Sequence, residues 1–118
     1  MKERELNSKI AVMITREGMG EGPRELSLIL VKNYLTLLKS ENRVPAYICL
    51  YADGVKLACE ESSVIRELKA LEESGCKVII CKTCLNFYNL SQKLMCGTAG
   101  TMLDIIDVQH NTTKIINL

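Results

Sequence analysis

Short apolar runs that break off into helical periodicity recur along this 118-residue chain, and that alternation limits its possible folds more than any other feature. Ile10-Ala11-Val12-Met13-Ile14 is unbroken and of strand length, as expected of a central strand buried on both faces. Ala46-Tyr47-Ile48-Cys49-Leu50-Tyr51 follows Pro45, and Val78-Ile79-Ile80-Cys81 repeats the pattern. A weaker fourth run spans Leu94 to Thr98, interrupted by Gly97, and Lys114 to Leu118 is a short β-branched ending. Between these runs lie helical segments at Arg24 to Lys39, Val64 to Ser74 and Asn86 to Lys93, and one from Thr101 to about His110-Asn111. Ser63 can cap the second helix and Gly75 can end it; Thr101 and Asp104 have capping-box spacing. This β-α-β-α-β-α-β-α-β rhythm predicts an α/β fold: a three-layer α/β/α sandwich on a mostly parallel sheet of about five strands. Residues 1–118 read as one domain, with 1–8 as a polar lead-in.

Several function classes are excluded by composition. With 15 basic against 14 acidic residues, the chain carries no electrostatic footprint for nucleic acid or an anionic membrane. No run approaches the ~20 apolar residues of a membrane span. The charged segment Met1 to Lys9 lacks the apolar core of a signal peptide, so the six cysteines read as those of a reduced, cytoplasmic protein rather than a disulfide scaffold. The helix from Arg24 to Lys39 is apolar on most of its circumference (Leu26, Leu28, Ile29, Leu30, Val31, Tyr34, Leu35, Leu37, Leu38), which favours sharing it with a second copy of the chain.

Two loops invite a functional reading. Gly18, Gly20 and Gly22 alternate after the first strand, but the spacing is not G-x-G-x-x-G and no Walker lysine follows. The segment reads as a loop of tight turns ahead of Pro23, with a role as a flap left open. The second is Cys81-Lys82-Thr83-Cys84, where an apolar strand passes into a helix. Thiols at such a point gain reactivity, because helix N-terminal amides favour an anion. Cys59, beside Glu60 and Glu61 after the second strand, shares the carboxyl edge of a parallel sheet with that loop.

A lone C-x-x-C supports three chemistries. Structural zinc asks for two further ligands at fixed spacing, and Cys59, Cys76, Cys96 and His110 do not pair that way, so no metal is expected. A dithiol–disulfide redox site fits the strand-to-helix position, but a thioredoxin-like chain carries a proline downstream, and both prolines here, Pro23 and Pro45, lie upstream. A persulfide carrier needs only a stabilised, partly exposed thiolate and a donor, with no cofactor. A non-catalytic binding module with buried cysteines is the bland alternative. Phe87 and Tyr88 read as packing residues, and Lys56 as a solvated lysine.

Two segments occur together: Asp53-Gly54-Val55-Lys56-Leu57-Ala58-Cys59, and Cys81 to Leu90 in the pattern Cys-x-Thr-Cys-Leu-x-Phe-Tyr-x-Leu. They resemble the DsrE/DsrF-like family, and within it the YedF-type proteins, described as sulfurtransferase-like and linked to selenium metabolism. The resemblance runs from the first strand to the C-terminus. It implies the α/β/α fold, a homo-oligomer (often a trimer or hexamer), and relay of sulfur or selenium in the cytoplasm as a cysteine persulfide. In those relatives a cysteine ends the equivalent strand eight residues before a glycine. Cys81 matches that position and Asn89 stands for the glycine, which asparagine can replace because it tolerates a left-handed backbone. Cys84 and Cys59 match further cysteines of the YedF-like pattern. Full-length YedF-like chains also resemble a TusA-like module at their N-terminus. This chain begins at the DsrE-like domain, which implies a separate TusA-like or other sulfur donor or acceptor protein as partner.

Overall fold

A computed structural model of the protein describes residues 9–118; the lead-in expected at 1–8 lies outside them. The order of elements is β1 (Ile10–Ile14), α1 (Arg24–Ser40), β2 (Tyr47–Leu50), a 3-10 segment (Ala52–Ala58), α2 (Ile65–Glu73), β3 (Lys77–Cys81), α3 (Lys82–Phe87), β4 (Thr98–Gly100), α4 (Met102–Asn111) and β5 (Lys114–Asn117). The strands form one sheet in the order β4-β3-β2-β1-β5, and all four pairings are parallel. The chain steps in one direction from β1 to β4 and then reverses to β5. Right-handed crossovers therefore put α1, α2 and α3 on one face and α4 on the other. This is the expected three-layer α/β sandwich, with α1 packed on α2.

The central strands form the core. Val12, Met13, Ile14, Ile48, Leu50, Val78 and Ile80 are buried, joined by Val31 and Leu35 of α1 and Leu68 and Leu71 of α2. Both edge strands are largely exposed. Leu26, Ile29, Leu30 and Leu37 of α1 are exposed, as are Met102, Leu103 and Ile106 of α4. The near-complete apolar circumference of α1 therefore resolves into one face against the core and one bare face.

Helix ends follow the local chemistry closely. Thr101 Oγ1 accepts from the Asp104 N–H while the Asp104 carboxylate accepts from the Thr101 N–H, which completes the capping box. After α2, Gly75 takes φ +105°; its N–H donates to the Glu72 carbonyl and the Cys76 N–H to the Leu71 carbonyl, a Schellman ending. Asn89 does the same after α3 at φ +59°, with Leu90 N–H donating to Leu85 O. Asparagine thus fills the left-handed position expected of it. At the start of α2 the hydroxyl that accepts a backbone N–H is that of Ser62, from Val64, rather than that of Ser63.

Three expectations shift. The helix after the third strand starts at Lys82, not near Asn86, so the C-x-x-C straddles the strand end and the first helical turn, and the left-handed Asn89 stops the helix. The fourth strand begins at Thr98 rather than Leu94. Gly97 lies at φ +75°, close against Val78 O and Ile80, and gives its N–H to Glu72 Oε1 instead of to the ladder. The glycine loop is tied to α1: Met19 N–H donates to Ser27 O, Ser27 Oγ to Gly20 O, and Arg24 pairs with Glu17 at 2.8 Å. A Cβ on Gly18 would meet Ser27 Cβ at 2.5 Å, so the loop belongs to the seat of α1 more than to a free flap.

Burial pushes three core thiols up from the ordinary 9.0: Cys49 to about 11, and Cys76 and Cys96 to about 12, the last two with help from Glu72. The unfolded chain ionises these groups at lower pH than the folded one. Their contribution to stability is therefore complete below about pH 9 and is lost as pH rises toward 11 to 12. We expect the urea midpoint to fall across that window, and to fall less steeply in Cys76→Ala relative to that variant's own stability at neutral pH.

Candidate functional site

Cys81 is the last residue of β3, and Cys84 lies in the first turn of α3. Their sulfurs are not equivalent. Cys81 is only 2 % exposed, whereas Cys84 is half-buried. Both stand at the carboxyl edge of the sheet, beneath the 3-10 segment that follows β2. That segment bends off the ladder at Ala52, whose φ of +52° is uncommon for a residue with a Cβ. The bend aims the Ala52 N–H at Cys84 Sγ, 3.2 Å away.

The segment is seated at two further points. Tyr51 N–H donates to Ile14 O at the end of β1, and Gly54 lies directly on that same carbonyl. On the α3 side, Tyr88 O–H donates to Asp53 Oδ1. Lys56 Nζ is 3.3 Å from Asp53 Oδ1 and 4.5 Å from the Tyr88 ring centroid. Asp53 is held below the usual carboxylate range, first by the Tyr88 hydrogen bond and then by Lys56. The same hydrogen bond raises the Tyr88 phenol.

The thiol electrostatics depart from the expectation that the helix start lowers a cysteine. Cys84 is raised, first by burial and then by its hydrogen bond with Cys81, and the Ala52 N–H is the one influence that lowers it. α3 is six residues long and its dipole is correspondingly short.

Of the three cysteines expected at the site, the structure brings Cys81 and Cys84 together. Cys59 closes the 3-10 segment, is 1 % exposed, donates its thiol to Val55 O at 3.3 Å, and pairs its backbone with Leu94. Burial raises it, then Glu60. Cys59 lies close enough to Cys96 to help raise that thiol. His110 is bonded to the Ile106 carbonyl at the end of α4. Among the described residues no group of three or more His, Cys, Asp and Glu side chains is arranged to hold a metal ion.

Sequence reasoning missed Ala52, Asp53 and Tyr88. Alanine gives no signal of a left-handed backbone, and the Asp53–Tyr88 link joins residues 35 positions apart. Tyr88 packs partly against the core, as expected, and also carries the link to Asp53, whereas Phe87 is 79 % exposed and is not a packing residue. The signal available was Lys56, three residues after Asp53 within one short motif.

A family model described as the DsrE/DsrF-like family matches residues 8–118. The chain belongs to this family. The solved structures it is similar to include the ychN protein from E. coli, at 22 % identity and a TM-score of 0.65, covering 94 % of this chain and 99 % of that one. MTH1491 from Methanobacterium thermoautotrophicum, a protein of unknown function, matches at 14 % identity and a TM-score of 0.70, with the same coverage of 94 % and 99 %. BT1422 from Bacteroides thetaiotaomicron, also of unknown function, matches at 16 % identity and 0.68, covering 93 % and 95 %. These likenesses establish the DsrE-like fold alone. No curated protein matches the chain. No helix among the described residues is long and apolar enough to cross a membrane.

Proposed function

We propose that this DsrE-like domain is a YedF-type sulfur or selenium relay protein that works in the cytoplasm and carries a persulfide on Cys81. Cys84 is its exchange partner, and Cys59 takes part only if the 3-10 segment moves. The observation that carries this reading is the pairing of two thiols at the end of β3 with a backbone N–H aimed at one of them. Sulfur transfer between thiols needs a thiolate, a polar contact for its charge and a route for the donor; a bound metal or organic cofactor is unnecessary. Exposed apolar faces on α1 and α4 support self-association, as a trimer or hexamer, and a TusA-like or other carrier protein is the proposed donor or acceptor.

The test is intact-mass analysis of the chain after exposure to a small-molecule persulfide. We expect a gain of one sulfur that a thiol reductant removes and that is lost when Cys81 and Cys84 are both replaced by serine. An unchanged mass refutes the relay. The placement of Cys81 and Cys84 within one turn of each other favours a second reading, a dithiol–disulfide couple. In that case the same experiment yields a loss of two hydrogens and no added sulfur.

A further inference from the structure

We propose that Cys84, rather than Cys81, is the thiol that first receives the transferred sulfur, and that Asp53, Lys56 and Tyr88 are positioning residues that hold the Ala52 N–H on its Sγ. The inference rests on the relay reading above and assigns the order of its steps. Thiol–persulfide exchange is an in-line displacement, so the attacking sulfur must be reachable along the axis of the donor's S–S bond. Cys81, at 2 % exposure, offers no such approach, and Cys84 does.

Cys84 is also the thiol with a polar contact suited to a developing anion. The Ala52 N–H lies 3.2 Å from its sulfur, at the cost of a left-handed alanine. Backbone strain of this kind persists only where the surroundings enforce it. Here they do so from both sides. Gly54 seats the segment on Ile14 O, and the Asp53–Tyr88 bond and the Lys56–Tyr88 contact tie it to α3. Tyr88 lies one helical turn beyond Cys84, with its N–H donating to the Cys84 carbonyl, so the clamp and the sulfur ride on the same rigid turn.

The steps balance without an oxidant. Cys84 loses its proton to solvent, and its thiolate attacks the outer sulfur of a donor persulfide R–S–SH. The donor S–S bond breaks, R–S⁻ leaves and takes a proton, and Cys84–S–SH forms. Cys81 then attacks the same outer sulfur while its proton passes to the departing Cys84 sulfur, giving Cys81–S–SH and Cys84–SH. The persulfide ends at the buried position, shielded from water and stray thiols.

Lys82 makes this order measurable, because trypsin cleaves after it and separates Cys81 from Cys84. The full chain is pulsed with glutathione persulfide, blocked with iodoacetamide at increasing times, digested and mapped. We expect the adduct to appear first on the Cys84 peptide and later on the Cys81 peptide. Cys84→Ser should slow labelling of Cys81 by about tenfold or more, since exchange depends on access and on thiolate fraction. Adduct that appears first on Cys81, at a rate unchanged in Cys84→Ser, overturns this inference and leaves the relay standing; no adduct on any cysteine of the unaltered chain removes both. The time course of the unaltered chain decides the order even if a serine variant folds poorly.

For the clamp, the readout is the ultraviolet thiolate absorbance of Cys84 against pH, with Cys81, Asp53, Lys56 and Tyr88 as the titratable neighbours. Tyr88→Phe removes one hydroxyl and should move that titration upward and slow Cys84 labelling by about threefold to tenfold, the worth of one hydrogen bond. Tyr88→Phe with both quantities unchanged overturns the positioning role.

Discussion

Gly54→Ala should cost the fold about 3 kcal/mol, the upper end of what forcing atoms into a packed site usually costs. An added Cβ would sit 2.1 Å from Ile14 O and 2.8 Å from Ile14 C, and neither is the far end of a flexible side chain. That carbonyl also accepts the Tyr51 N–H, so it is fixed from two directions. The 3-10 segment must therefore lift from β1, and Ala52, two residues earlier, leaves Cys84 with it. Two measurements should move together: the urea midpoint falls, and the Cys84 thiolate titrates at higher pH because the one influence that lowers it is gone. Gly22→Ala is the control. Its Cβ would meet only Leu26 Cδ2 at 3.5 Å, an ordinary contact, and stability should stay within about 0.5 kcal/mol. Equal midpoints for the two variants would show that the segment is not seated on β1.

The architecture was legible because it depends on pattern. Unbroken apolar runs such as Ile10 to Ile14 can be buried on both faces only in a parallel sheet covered by helices, so the rhythm alone carried the layers and the sheet. Cys81 could be placed at the end of β3 for similarly local reasons, while the left-handed turn at Asn89 was implied by the family resemblance. The site resisted where it depends on distance and on backbone geometry. Asp53 and Tyr88 each look like ordinary surface residues, and only the folded chain brings them together. Cys59 looked equivalent to Cys84 because both follow strands, yet one lies buried in its own 3-10 segment and the other is only half-buried. The fourth strand was displaced because one glycine, Gly97, spends its N–H on a glutamate from α2.

Leu85 and Phe87 carry the same lesson into a measurable contrast. α3 has six residues, far below the roughly 12–15 at which an isolated helix is even marginal in water, so packing must hold it. Its one buried residue is Leu85, 2 % exposed beneath the turn that carries Cys84. Leu85→Ala should cost about 2–5 kcal/mol, the range for truncating a buried leucine. It should also free α3 to open while the rest of the sheet stays folded. Iodoacetamide would then label Cys81 under native conditions, and amide exchange would quicken from Lys82 to Phe87 before it does in β1 or β2. Phe87→Ala deletes more apolar surface, but from a side chain 79 % exposed, and should change stability by less than about 0.5 kcal/mol. If the two variants lost equal stability, the C-x-x-C turn would not be anchored through Leu85. If only Leu85→Ala unmasks Cys81, the burial that separates the two thiols is the work of this one side chain.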